Sequence, residues 1–512
     1  MEKYWQKARP SFVGRAVVPA QEQELRRVQL VYARKEASMA SILLKGGTVI
    51  SPEGSSEADV LIEGELIKAV APALESTADT VEDVSGMLIM PGGIDPHTHL
   101  NLPMFGTVSS DDHYTGHKAA AFGGTTTVMD FVPQTPGKGL LADVNGWHER
   151  ADNWAAIDFG FHMNITHCDD DVLKEIPALL DAGIPTLKVF TAYNGRLRLQ
   201  DGEIFQVMRV AAEHGMTTML HAENGDVIDI LVEEALAVGH SEPVWHARTR
   251  PGWGAVESVL RAIALAEQAN ATLYVVHLNT AGGLDQIRYG RAQGVRVMTE
   301  VCPHHLFFTE EELIRADGSK WICSPPIRSK ADTAALWGGL ADGSIQVAAT
   351  DHCPFFFDGR KPIEYEGESV SIAGKELGAD DFTKIPNGVP GVGDRMPLLW
   401  SYGVRQGRIT PEQFVALTST NPAKIFGLYP AKGIIQEGSQ ADIVVWDPDR
   451  KLTYGVAHAR HRTDYNLYEG WELVGYPEMV FLRGQMIVRH EQWFGKKGAG
   501  RFVKRPGKPV FI

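Results

Sequence analysis

Six side chains of types that bind divalent metal ions stand out in this sequence: His97, His99, Lys188, His221, His277 and Asp351. His97 and His99 form an H-x-H just beyond the apolar run Met87-Leu-Ile-Met90 and its break at Pro91-Gly92-Gly93. Residues i and i+2 of a strand share a face, so this pair aims two imidazoles at one point. Alone, it reads equally well as a histidine-bearing surface loop. The Pro-Gly-Gly break predicts a tight turn before the strand that carries the pair.

Lys188 lies inside the apolar run Pro185-Thr-Leu-Lys-Val-Phe190, where an ammonium must be paired, neutral or modified. A salt bridge inside the fold is one reading. Near four histidines, however, an ammonium would repel a bound cation, whereas a carbamate formed with carbon dioxide is an anion whose two oxygens can bridge two metals.

The elements that must position these residues alternate in texture. Strand-like runs occur at Gly124–Asp130, Asp158–Asn164, Pro185–Phe190, Thr217–His221, Thr272–His277, Val295–Glu300 and Ile345–Asp351, separated by helical stretches such as Val256–Gln268 with apolar residues at i, i+3 and i+4. With the strand before His97 there are eight units, the pattern of an α/β fold of the (β/α)8 TIM-like barrel type. A doubly wound open sheet is the alternative, but it calls for a Gly-rich phosphate turn where this chain has Pro-His-Thr-His. In a barrel the C-terminal strand ends converge on one mouth, and all six residues lie in or at the ends of their strands.

Short β-type segments flank this region at both ends: Ile42–Ile50, Ala58–Gly64, Leu66–Val70, Ala441–Trp446 and Met479–Val488. They predict a second, smaller antiparallel β-sandwich domain built from both terminal regions. The expected division is an N-terminal disordered extension (1–38), the first part of the sandwich (39–90), the barrel (91–425), the second part of the sandwich (426–490) and a C-terminal tail available for a subunit contact (491–512). Residues 1–38 hold eight Lys/Arg against four Asp/Glu, and Met39 reads as a natural start.

A net charge of -15 excludes a basic footprint for nucleic acid. The four cysteines lie far apart without a C-x-x-C, so a disulfide framework or thiolate zinc knuckle is not expected and a reducing cytoplasm fits. No run approaches the roughly 18 apolar residues of a membrane span.

Gly92-Gly-Ile-Asp-Pro-His-Thr-His99, Leu187-Lys-Val-Phe-Thr-Ala-Tyr193, His221-Ala-Glu-Asn224, Val276-His-Leu278, Cys323-Ser-Pro-Pro326, Ala349-Thr-Asp-His-Cys-Pro354 and Pro386-Asn-Gly388 follow one another in the order of a known set. From about residue 40 onward the chain resembles the amidohydrolase superfamily, in particular its hydantoinase and dihydropyrimidinase branch of cyclic amidases. The resemblance implies that His97, His99 and Asp351 hold the more buried of two divalent metals, His221 and His277 the other, with Lys188 as N6-carboxylysine bridging both. Zinc is the metal it implies, and imidazole and carboxylate donors suit zinc without excluding manganese or cobalt. It further implies that a hydroxide between the metals attacks the ring carbonyl while Tyr193 donates to the oxyanion and Asp351 moves the proton to the leaving nitrogen. Ser324 and Asn387 would hold the ring amides through their backbone groups. The expected product is an N-carbamoyl amino acid, the expected partner a small cyclic ureide, and the expected assembly a homotetramer.

Dihydroorotase and allantoinase share most of these ligands and typically carry an arginine where this chain has Asn101. With Leu102, Pro103, Met104 and Phe105 following, and Phe190 and Leu197 flanking Tyr193, the pocket is expected to take an uncharged ring with an apolar substituent. Gly393 before Asp394-Arg395 and Asn194 after Tyr193 depart from the branch pattern. His304, His305 and His352 are read as supporting residues. A metal-free relative that serves as an assembly protein is the alternative of a different class, separable by the presence of bound metal.

Overall fold

The computed structural model describes residues 41–104, 106–506 and 510–512. The extension expected over residues 1–38 lies outside them. Apolar runs that are buried along their whole length form a parallel sheet, because such strands can be covered on both faces only in an α/β arrangement. Eight of them are β1 (Gly93–Thr98), β2 (Thr125–Val132), β3 (Asp158–Asn164), β4 (Thr186–Phe190), β5 (Thr217–His221), β6 (Thr272–Val275), β7 (Val297–Val301) and β8 (Val347–Ala348), each hydrogen-bonded to the next in chain order. The fold is a (β/α)8 barrel. Among its helices, Gly252–Gln268 buries Ala255, Val259, Ala262, Ile263 and Ala266, the i, i+3, i+4 stripe of the sequence, and begins four residues before the expected Val256.

The barrel closes without a regular ladder between β8 and β1. Beyond the two short strands, Thr98 pairs with His352 in a single parallel bridge and the His99 N–H donates to the His352 carbonyl at 2.8 Å. Side chains do the rest. The buried Arg395 donates from Nη1 to the carbonyls of Ile94 on β1 and Ala348 on β8, both at 2.8 Å, and from Nη2 to Thr125 Oγ1 at 3.0 Å. One turn further up, Thr350 Oγ1 donates to Asp95 Oδ2 at 2.6 Å. Gly393, which departs from the branch pattern, lies just before this arginine. A Cβ there would lie 2.7 Å from the Ala459 carbonyl oxygen, so the close packing leaves no room for the larger residue.

The strands flanking the barrel form one nine-stranded sheet from both terminal regions. It is larger than expected and mixed, since Ser41–Ser51 pairs in parallel with Thr80–Asp83 and Leu88–Pro91. The two regions meet where Leu88–Pro91 pairs antiparallel with Ile443–Thr453, and Leu44, Val60, Ile62, Ile443, Val445 and Phe481 share one core. The chain then runs from this sheet straight into β1. Gly92 does not make the turn its sequence suggested: a Cβ at this position would meet Thr126 Oγ1 at 2.2 Å, and close approach is what requires glycine. At the N-terminal face of the barrel, Asp158 of β3 is bound by Lys432 and Arg483, and Lys432 also binds Asp442, a buried ionic cluster that ties sheet to barrel. The tail runs along the same face of its own barrel, with Val503 N–H donating to the Phe159 carbonyl and Arg505 buried against Phe161 and Thr186. Among the described residues no helix is long and apolar enough to cross a membrane.

Arg395→Met removes a buried cation and leaves two strand carbonyls without a donor. It is expected to cost about 3 kcal/mol or more of stability, read as a lower midpoint in urea denaturation.

Candidate active site

The strand ends bring all six metal-type residues to the C-terminal mouth. His97 Nε2 and His99 Nε2 lie 3.1 and 3.0 Å from Asp351 Oδ1. Ligand atoms of His97, His277 and Asp351 all fall within 4.8 Å of one another, and His221 Nδ1 faces His277 Nε2 at 3.1 Å. Lys188 Nζ lies 4.9 Å from the centre of the Phe131 ring and 5.1 Å from that of Phe190. The two imidazoles of the H-x-H converge although the β1–β2 register shifts between Asp95 and Thr98, so a local irregularity re-aims His97. Tyr193, His277 and Asp351 have φ of 69°, 37° and 52°, left-handed conformations that turn the chain sharply at the strand ends.

Two carboxylates orient the histidines. Glu300, on β7, accepts from His97 Nδ1 and also from the Tyr274 hydroxyl at 2.8 Å and the His277 backbone N–H at 3.1 Å. Glu223 accepts from His221 Nε2 at 2.9 Å, which leaves Nδ1 directed at His277. Burial alone would depress the His97 imidazole, but Asp351 and Glu300 on either side outweigh it and lift it to about 9. Burial would raise Asp351, yet the same His97 and the hydrogen bonds from His97 and His99 hold it well below the usual carboxylate range. Burial lowers Lys188 to about 8, the opposing attraction of Asp351 being smaller. It also raises Tyr193, with Glu223 adding to the effect, so the phenol stays a hydrogen-bond donor.

A cavity of about 290 Å³ opens over this cluster, and Met104, Phe190, Tyr193, Leu197, Ser324 and Asn387 all line it. Leu102, Pro103 and Pro133 complete its apolar walls. Asn387 Nδ2 donates to Ser324 Oγ at 3.1 Å, and Ser324 Oγ also lies 3.2 Å from His246 Nε2. The side chains of this pair are thus occupied with protein partners, while among the described residues the backbone N–H and C=O groups of Ser324 and Asn387 bond to no protein group. His305 Nε2 donates to the Pro325 carbonyl at 3.0 Å and so supports the Ser324 segment from behind. His352 is held between Asp111, 3.1 Å from its Nε2, and the Gly391 N–H, 3.0 Å from its Nδ1.

Asn101 does not line the cavity. It has φ 51°, which asparagine tolerates, and its carbonyl accepts from Arg150 at 3.0 Å, so backbone shape explains its residue type. Asn194 is bound to Asp226, Asp229 and Arg198, and it pins the turn after Tyr193 to the helix Gly225–Ala237. Sequence reasoning passed over Glu300 and Glu223. Both had a signal: Glu223 follows His221 by two, and Glu300 ends the seventh run, although the histidine it orients lies far away in the sequence.

Residues 88–489 match the model of the amidohydrolase family. The chain belongs to the amidohydrolase family. It is 42% identical over 466 residues to the D-hydantoinase of Geobacillus stearothermophilus, covering 90% of this chain and 96% of that protein. It is 41% identical over 470 residues to the D-hydantoinase of Streptomyces coelicolor, with 90% and 97% covered. The crystal structure of dihydropyrimidinase from Brevibacillus agri NCHU1002 superposes with a TM-score of 0.87 at 43% identity, over 91% of this chain and 99% of that one. Amidohydrolases work with divalent metal ions, and the residues present fit them. The donors are imidazole and carboxylate, the buried His99 Nδ1 has no partner among the described residues, two facing histidine nitrogens stand 3.1 Å apart, and the buried Lys188 in the same lining has no ion pair among the described residues.

Glu300→Gln replaces the anion behind His97 with a neutral amide. A loss of about 10- to 100-fold in metal affinity is expected, measured by competition with a chelator on folded protein.

Proposed function

We propose that this amidohydrolase opens the cyclic amide bond of 5-substituted hydantoins and dihydropyrimidines to give N-carbamoyl amino acids. The observation that carries this reading is one cavity that holds three things together. It has six metal-type donors at its floor, a half-buried protonated Tyr193 in its wall, and, among the described residues, unbonded backbone groups of Ser324 and Asn387 in the same lining. A cyclic ureide presents a matching set, a carbonyl to be attacked and flanking N–H and C=O groups to be held. The names of the relatives point to the same substrates. The catalytic unit in this reading is the barrel, residues 91–425.

His97, His99 and Asp351 would hold one divalent ion, His221 and His277 a second, and Lys188 as its carbamate would bridge them, zinc being the ion that best suits the donor set. Such a pair acidifies water to a nucleophile at neutral pH and polarises the scissile carbonyl. The chain supplies the remainder. Ser324 and Asn387 bind the ring amides in one orientation, which brings the carbonyl oxygen to the Tyr193 hydroxyl. That hydroxyl donates a hydrogen bond as negative charge develops on the oxygen. Asp351, kept ionised by His97 and His99, accepts a proton from the attacking water and returns it to the ring nitrogen as the C–N bond breaks. The walls of Leu102, Met104, Phe190 and Leu197 shield the ring from bulk water. Exposed Val227, Ile230 and Leu236 on the helix Gly225–Ala237, with Trp253 and Leu260 on Gly252–Gln268, offer apolar surface for a homotetramer.

The test is a panel of dihydrouracil, dihydrothymine, 5-substituted hydantoins of both hands, allantoin and dihydroorotate, with metal content measured on the same sample. Turnover of hydantoins and dihydropyrimidines is expected, with about two metal ions per chain. Turnover of only allantoin or dihydroorotate, or a folded sample without metal or activity, overturns the reading.

Carbamate formation requires the neutral amine. Because the folded chain holds Lys188 at about 8, the ammonium dominates below that pH and the reactive amine above it. At fixed dissolved carbon dioxide and metal, recovery of activity by chelator-stripped protein should therefore accelerate as pH rises through about 8 and then level off.

A further inference from the structure

Apart from Lys188 and the histidines of its floor, the described lining of the cavity contains one basic side chain, Arg196. Its position is set by the backbone. Tyr193 and Gly195 both have φ of 69°, and the N–H groups of Arg196, Leu197 and Arg198 converge on the Tyr193 carbonyl at 3.1, 3.0 and 3.3 Å. The turn therefore fixes the backbone of Arg196, whose side chain is exposed, relative to Tyr193. Arg198, two residues on, is bound to Asp226 and, at 2.7 Å, to Asn194 Oδ1. The Arg196 guanidinium, by contrast, has no hydrogen bond, ion pair or aromatic partner among the described residues.

It shares the cavity lining with Leu102, Met104, Phe190 and Leu197, side chains that offer a guanidinium no acceptor. A substrate that covered it with an apolar substituent would strip its water without replacement, which is unfavourable. An anionic substituent would form charge-assisted, two-pronged hydrogen bonds instead. The chain as a whole carries -15, so Arg196 is a local cation at this mouth and not part of a general positive field.

We propose that Arg196 binds an anionic group at the end of the ring substituent, so that the substrate class is a cyclic ureide carrying a short carboxylate arm. This rests on the ring-opening reading above and narrows it. The ring chemistry is unaltered: water adds across the C–N bond, the arm's carboxylate is neither made nor broken, and the product is an N-carbamoyl amino acid with two carboxylates.

The experiment compares 5-(2-carboxyethyl)hydantoin with its near-isosteric amide, 5-(2-carbamoylethyl)hydantoin, on the full chain, and takes the ratio of their kcat/KM values. The wild type is expected to favour the carboxylate. Arg196→Gln should lower the ratio by about 10- to 100-fold, chiefly through KM, and Arg196→Lys by less. Arg198→Gln should leave the ratio at the wild-type value. An unchanged ratio in Arg196→Gln, an equal fall in Arg198→Gln, or a wild type that favours the amide overturns the proposal. Turnover of 5-alkyl hydantoins without preference for the carboxylate overturns the role of Arg196 alone, whereas failure to open any hydantoin overturns the ring-opening reading and this inference with it.

Discussion

The structure depends on a seam. A parallel barrel must join its last strand to its first, and here those strands are too short and too irregular to do it by ladder: β8 has two residues and β1 shifts register against β2 between Asp95 and Thr98. Closure falls to the guanidinium of Arg395, the Asp95–Thr350 bond and the hydrogen bond from His99 to His352. This has a direct chemical result. The seam brings Asp351, from the eighth strand, to within 3.1 Å of His97 and 3.0 Å of His99, from the first. Had β8 been longer and regularly paired, Asp351 would have lain in a strand and not at φ 52° beyond it, where the turned backbone presents its carboxylate to both imidazoles.

The same arrangement explains how so many ionisable groups sit close together. At the mouth the charges are matched locally, His97 by Glu300 and Asp351, and His221 by Glu223. At the opposite face Asp158, Asp442, Lys432 and Arg483 compensate one another and clamp the terminal sheet to the barrel. Between them lies an apolar layer of Ile94, Met129, Phe131, Met219, Met298 and Val347. That layer separates a charged cluster that serves stability from one that serves chemistry, and the low dielectric it creates strengthens the interactions in both.

Much of the barrel and of its floor was legible because parallel strands make a simple map from sequence to space. A residue at the C-terminal end of any strand points to the common mouth, so His221, His277 and Asp351 could be grouped before any contact was known. What could not be read depended on pairings across the fold. Glu300 gains its role only when β7 lies beside His97, more than two hundred positions earlier in the chain. Arg395 looks like an ordinary helix residue until the seam is seen. Asn101 stands outside the cavity lining, with φ 51° and a carbonyl that accepts from Arg150, a setting that appears only once the loop is folded. Gly92 needed its neighbour Thr126 to reveal that space, and not a turn, is the constraint.

The division of labour between floor and rim follows from which atoms each uses. The floor is built of side chains held by the strands, and in the proposed reading the ring would be met by backbone groups of Ser324 and Asn387, whose side chains are already engaged with each other. Changing those side chains would disturb packing before it changed what the ring is offered. The apolar walls, in contrast, come mainly from two irregular segments, residues 102–104 and the turn 193–198, with Phe190 and Pro133 beside them. These can vary without moving a metal-type donor, because the Tyr193 carbonyl and the helix Gly225–Ala237 hold the turn in place independently of what residues 196 and 197 are. The metal-type donors and the side chains at the rim thus stand on different parts of the fold, the first in or at the ends of the barrel strands and the second largely on the segments between them.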